Sequence, residues 1–269
     1  MKDGPAQLAG EPDREEPEDE TGKMSFLDHL DELRKRLVRI VTYLGVGFIV
    51  CWIYHKPIYR FIKRPIDASL PPGESLIFTG PTDAFVLYMK VAFVSAVFFT
   101  IPLSLYEVWR FIAPGLYRKE KRYVVPFLVS SILLFIAGGA FCYLYVMPQA
   151  YSFLISFGSD FKPMITIVEY WDMSLMMLLG FGLIFEMPVV IAFLSMWGLV
   201  TAGFLWRKFK YAIIIMVSLA AILSPTGDAF NLMIWSAPMI ALYLLSIGVA
   251  ALFGFRRKKR SQESGVRSQ

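Results

Sequence analysis

Between Tyr123 and Ser159 the chain contains no Asp, Glu, Lys, Arg or His. A soluble fold of this length cannot hide so long an apolar stretch, because its surface needs polar cover. The whole chain agrees: 56% of its 269 residues are hydrophobic, 18% are charged and the mean hydropathy is +0.54. Soluble domains run about half apolar and about one quarter charged. The sequence therefore describes an integral membrane protein.

Apolar segments occur near 38–54, 85–109, 124–147, 173–198, 210–223 and 229–252. A helix crossing hydrocarbon about 30 Å thick needs about 20 residues. Five segments meet that length with their flanks. The fifth in order does not, since Lys210 and Pro225 leave room for about 14 residues, or about 21 Å of helix. It must sit in thinned bilayer or be sheltered by neighbours. The expected fold is all-α: six transmembrane helices with a short last hairpin. Pro102, Pro188 and Pro238 each follow an aromatic residue by three positions, and proline bends a helix. Three such bends would curve the bundle into a cup.

Residues 1–23 hold eight acids and three bases, a composition that reads as a disordered acidic tail. They carry no basic-then-apolar signal peptide. Residues 24–255 form the membrane domain and 256–269 a basic tail. Ser25 with Asp28 resembles a capping box. Leu30, Leu33, Leu37 and Ile40 then repeat at helical spacing, with charges on the other side. This helix is expected to lie along the membrane face before turning in.

Lys and Arg set orientation. With the N-terminus cytoplasmic, the inner segments hold Lys23 with Arg34–Arg39, Arg110–Arg122, Arg207–Lys210 and Arg256–Arg260. The outer loops hold Lys56, Arg60, Lys63, Arg64 and Lys162. The balance places both termini inside, although four of those outer cations crowd the first outer loop.

Several chemistries are excluded. Two histidines (His29, His55) and two cysteines (Cys51, Cys142) lack metal-ligand spacing, and both cysteines lie in apolar runs as inert buried thiols. There is no G-x-x-x-x-G-K-S/T loop. An intramembrane protease would need a Ser–His pair, paired aspartates or H-E-x-x-H. We expect no enzyme activity, cofactor, metal or nucleic-acid partner.

Glu186 is the sharpest polar feature, deep in the fourth apolar segment with no base within ten positions. It must be protonated, partnered or facing water; it serves either packing or function. Lys90 and Glu107 sit near the ends of the second segment, where they can snorkel, and Glu107 can pair with Arg110. Glu32 can pair with Arg36 at i,i+4. Glu32 and Glu120 can instead form two carboxylate acceptors for a ligand carrying adjacent guanidinium groups. The loop from Tyr106 to Tyr117 places aromatics and a Pro114–Gly115 turn between basic residues.

At this loop the chain resembles the TatC family, the multi-spanning receptors of the twin-arginine protein translocase. The likeness is carried by His29-Leu-Asp-Glu-Leu-Arg-Lys-Arg-Leu37, Phe111-Ile-Ala-Pro-Gly-Leu-Tyr117, Glu120-Lys-Arg-Tyr-Val-Val-Pro126 and Phe181-Gly-Leu-Ile-Phe-Glu-Met-Pro188. It spans about residues 24–255.

The resemblance implies recognition of Arg-Arg signal peptides on folded precursors at the cytoplasmic face of the cell inner membrane, with export driven by the proton-motive force. It implies that Glu32 and Glu120 receive the arginines, with Arg34, Phe111 and Pro114 shaping the patch. Glu186 would meet single-span partners of the TatA and TatB type, within a larger complex that also contains further copies of this chain. Pro65 and Asp228 fall at family-like positions. Glu107 and Asn231 replace usual glutamines, and Glu107 is expected to add negative charge beside the patch. The alternative is a secondary transporter or channel with Glu186 as its ion or proton site.

Overall fold

The computed structural model describes residues 26–71, 75–116, 121–158, 160–161, 164–223 and 228–266, with side chains from 28 to 252. The acidic head, Ser25 and Glu120 lie outside the described residues. Helix α1 spans Phe26–Ile53, α2 His55–Asp67 and α3 Asp83–Ile112. A 3-10 turn at Ala113–Gly115 precedes α4 (Val124–Phe141), which passes through a π-helical turn (Cys142–Val146) into α5 (Met147–Phe157). Then follow α6 (Ile167–Ile184), α7 (Met187–Met196), α8 (Ala202–Arg207), α9 (Phe209–Leu223) and α10 (Ala229–Val266). The nearest approach to a strand among the described residues is one bridge, Ile77 to Thr166.

Among the described residues, five stretches are long and apolar enough to cross a membrane: Asp28–Ile53, Asp83–Gly115, Lys121–Phe157, Ile167–Met196 and Ala229–Leu252. The shorter Phe209–Ile222 is the sixth apolar helix. This is a multi-pass helical membrane protein, because lipid offers no partner for backbone N–H and C=O groups and each span must bond internally.

The stretch before the first span does not turn in from the membrane face. It is continuous with the span as the 28-residue α1, about 42 Å long. Leu30, Leu33 and Leu37 are exposed, so the apolar stripe faces outward, while Glu32 and Arg36 are half-buried toward the bundle. The first outer loop contains a helix, α2, whose Ile62, Pro65 and Ile66 are buried. The prolines also differ among themselves. Helices α3 and α10 run on through Pro102 and Pro238, whereas α6 stops just before Pro188. The helical backbone of α10 continues to Val266, through the basic segment read as a tail.

Tight contacts rest on small residues, as expected where lipid competes equally for apolar side chains. Helix α1 packs on α3 around Cys51, Ala92 and Ala96. A Cβ at Gly47 would come within 2.6 Å of Thr100 Cγ2. Helix α4 packs on α6, where a Cβ at Gly138 would lie 2.5 Å from the Phe181 carbonyl oxygen and one at Gly182 would lie 2.9 Å from the Phe135 ring. The main core joins α2, α3, α6, α9 and α10 around Trp171, Phe181 and Trp235, all fully buried. A second cluster of Trp109, Leu116, Phe127, Val189 and Phe193 closes the end where α3 meets α4 and α7.

These contacts give a paired test. Gly138→Val forces a side chain against backbone and should lower stability by about 1–3 kcal/mol. Gly45→Ala, where nothing lies within 4 Å, should leave it unchanged or raised, since alanine favours helix. Thermal unfolding of the detergent-solubilised variants measures both.

Candidate functional site

Glu32, Arg36, Arg39 and Tyr43 recur at i, i+4, i+7 and i+11 and so share one face of α1. That face meets α3. Arg36 Nη2 donates to Glu32 Oε1 at 2.8 Å, and Arg36 Nη1 donates to Glu107 Oε2 at 2.7 Å. Glu107 also takes a hydrogen bond from Tyr43 Oη at 3.3 Å and stands 3.6 Å from Arg39 Nη1. It is 2% exposed. A carboxylate so enclosed is tolerated only because charged donors surround it.

The pairing expected from spacing is therefore corrected. Glu107 turns to Arg36 rather than Arg110, and Arg110 donates to Tyr106 Oη at 3.4 Å. Nor does Glu107 add free negative charge beside the patch, because Arg36 and Arg39 neutralise it. Sequence spacing cannot reveal a contact between positions 71 apart. The i,i+4 pair of Glu32 with Arg36 is present, yet it uses only one carboxylate oxygen. Glu32 Oε2 is buried and meets no donor among the described residues.

Beside this network opens a pocket of about 360 Å³ lined by Asp28, Asp31, Glu32, Lys35, Arg36, Arg39 and Arg110. Lys35 is occupied by Asp31 at 2.7 Å. Arg34 is exposed. The His29 ring stacks on Phe111 with centroids 4.4 Å apart, a contact that the sequence reading missed. Pro114 lies in the 3-10 turn after α3, and Leu116 beyond it is buried among Trp109, Phe127 and Phe193. The loop is thus pinned at both ends.

Trp109 links this rim to the deeper polar position. Its ring stacks on Phe127 at 5.4 Å, and its Nε1 donates to Ser131 Oγ at 3.4 Å. Ser131 in turn lies beside the Glu186 carboxyl. Glu186 sits at the break between α6 and α7, where Pro188 lacks the N–H needed to continue the helix. The Glu186 carbonyl takes both Val189 N and Val190 N at 3.0 Å. Its Oε1 is buried without a partner among the described residues.

The other singled-out residues are dispersed. Pro65 is buried in α2 and its carbonyl accepts from Ser69 Oγ at 3.0 Å. Asp228 stands before α10, with Oδ1 accepting from Asn231 N at 2.8 Å and Oδ2 from Asn231 Nδ2 at 2.9 Å; it caps that helix. Lys90 pairs with Asp172 across α3 and α6 at 2.5 Å rather than only reaching for an interface.

Removing Arg36 strands two carboxylates. Arg36→Met should cost about 3 kcal/mol, the low end for a broken buried pair because Arg39 and Tyr43 remain on Glu107. Glu107→Gln keeps acceptors for Arg36 and should cost under about 1 kcal/mol. Denaturant unfolding in detergent separates the two.

Residues 28–238 match the family model described as Sec-independent protein translocase protein (TatC). A relative of that name from Koribacter versatilis is 46% identical over 244 residues, covering 90% of each chain. Another from Desulforapulum autotrophicum is 38% identical, covering 93% of this chain and 92% of its own. A crystal structure titled Twin Arginine Translocase Receptor-TatC superposes with a TM-score of 0.76 at 32% identity, covering 84% of this chain and 99% of that one. By that family model and those relatives, the chain belongs to the TatC family.

Proposed function

We propose that this chain is the receptor subunit of a twin-arginine translocase, binding Arg-Arg signal peptides of folded precursors and nucleating their export. The observation that carries this reading is Glu32, which lines an open pocket and whose Oε2 meets no partner among the described residues. Net charge does not carry it, since the pocket is lined by more bases than acids. Most of those bases are committed, however: Arg36 to two carboxylates, Lys35 to Asp31 and Arg39 to Glu107. What is left for an incoming guanidinium is a directional acceptor held rigidly by Arg36. Charge-assisted bonds of this kind are the stronger ones.

Glu120 supplies the second acceptor from the segment that follows the Phe111–Pro114 turn. Arg34 is exposed on the same helix as Glu32, and Phe111, backed by His29, offers an apolar wall for the signal's hydrophobic stretch. The distribution of Lys and Arg supports a cytoplasmic rim and cytoplasmic termini in the cell inner membrane. Glu186 is the contact for TatA- and TatB-type single-span partners, in a complex holding further copies of this chain. No covalent step or cofactor enters. The proton-motive force drives the assembled system. Family membership sets aside the transporter alternative.

Glu32→Gln and Glu120→Gln should each weaken capture of an Arg-Arg precursor by roughly tenfold, the worth of one charge-assisted bond. A photo-crosslinker at Phe111 should label that precursor and spare its Lys-Lys counterpart. Equal labelling of both, or unchanged affinity in the two variants, contradicts the proposal.

A further inference from the structure

The crowd of cations in the first outer loop runs against the usual charge asymmetry of membrane proteins. The fold gives it a form. Helix α2 carries Lys56, Arg60 and Arg64 at i, i+4 and i+8, hence on one face, and all three are exposed. No carboxylate lies within ion-pair distance of these three among the described residues, while the neighbouring Lys63 is held by Asp67 at 2.9 Å. The opposite face is anchored. Ile62, Pro65 and Ile66 are buried, and Tyr170 Oη donates to the Ile62 carbonyl at 3.1 Å. The row cannot roll inward to find partners.

Its depth is fixed independently. Phe61 stacks on Tyr143 at 4.8 Å, and Tyr143 Oη donates to the Phe61 carbonyl at 2.6 Å. Tyr143 lies 22 residues beyond Lys121 along one helical rod, about 33 Å from it. That is the thickness of the hydrocarbon layer, so α2 lies at the head-group level of the leaflet opposite the Glu32 rim. Phe61, Tyr54 and Ile53 are exposed beside the cations, giving the apolar skirt of a helix seated in that interface. Arg64 rests over the Phe61 ring, 5.7 Å from its centroid.

We infer that the Lys56–Arg60–Arg64 face of α2 is a binding site for the phosphodiester head group of an anionic phospholipid in that leaflet. Guanidinium groups pair with phosphate oxygens bidentately. The exposed aromatics take the acyl chains just below the phosphate, and the three uncompensated charges favour an anionic lipid over a zwitterionic one.

The full chain is reconstituted in phosphatidylcholine vesicles doped with phosphatidylglycerol carrying a photoreactive head group, and labelled peptides are mapped. Residues 54–68 should be labelled by this probe and not by a phosphatidylcholine probe. Lys56→Gln/Arg60→Gln/Arg64→Gln should reduce that labelling roughly fivefold or more, while Lys56→Arg/Arg60→Lys/Arg64→Lys keeps it. Labelling at the α1 end, unchanged in both variants, reports that the fold is intact. Equal labelling by the two probes, persistence in the glutamine variant, competition by inorganic phosphate alone, or cross-linking of α2 to a second copy in place of lipid would each overturn the site.

Discussion

The guanidinium of Arg36, shared between Glu32 and Glu107, is the interaction on which the upper half of this molecule turns. Helix α1 is the least enclosed of the long helices. It has lipid on most sides and gains little from apolar burial against its neighbour. Two devices hold it to α3. Small residues around Gly47, Ala92 and Ala96 allow close approach at one end, and the fork of Arg36 locks the register at the other. Because the fork consumes one oxygen of Glu32, it also aims the other. Helix docking and the proposed acceptance of a signal-peptide guanidinium therefore share a single side chain.

Below the rim the polar groups become sparse and each has a structural cause. The α6–α7 break arises from Pro188, and it puts Glu186 at a helix start rather than in mid-helix. Trp109 spans the distance, packing on Phe127 and Phe193 while bonding Ser131 beside Glu186. Trp109 stands two residues before Phe111, in the last turns of the helix that leads into the Phe111–Pro114 turn. A continuous chain of packed side chains thus runs from the α1–α3 rim to Glu186.

Much of the architecture was legible in the sequence because hydrocarbon imposes a length rule. The long spans and the short α9 follow from counting apolar residues between charges, and the Pro114–Gly115 turn from its composition. The course of α1 was misread for a physical reason. An amphipathic stripe of leucines suits a helix lying in the interface, but here it continues straight into the span, with the leucines exposed and Arg36 turned to α3. Helix α2 was hidden because charge and proline disguised its buried Ile62, Pro65 and Ile66 as loop. The partner of Glu107 was invisible, since Arg36 is near it only after α1 and α3 have docked. His29 on Phe111 was missed for the same reason.

The most direct measurement is a structure of the chain bound to an Arg-Arg signal peptide. The account predicts one peptide guanidinium within hydrogen-bond reach of Glu32 Oε2, with Arg36 still bridging Glu32 Oε1 and Glu107. A peptide seated away from Glu32, or one that draws Arg36 off Glu107 to bind, would contradict it.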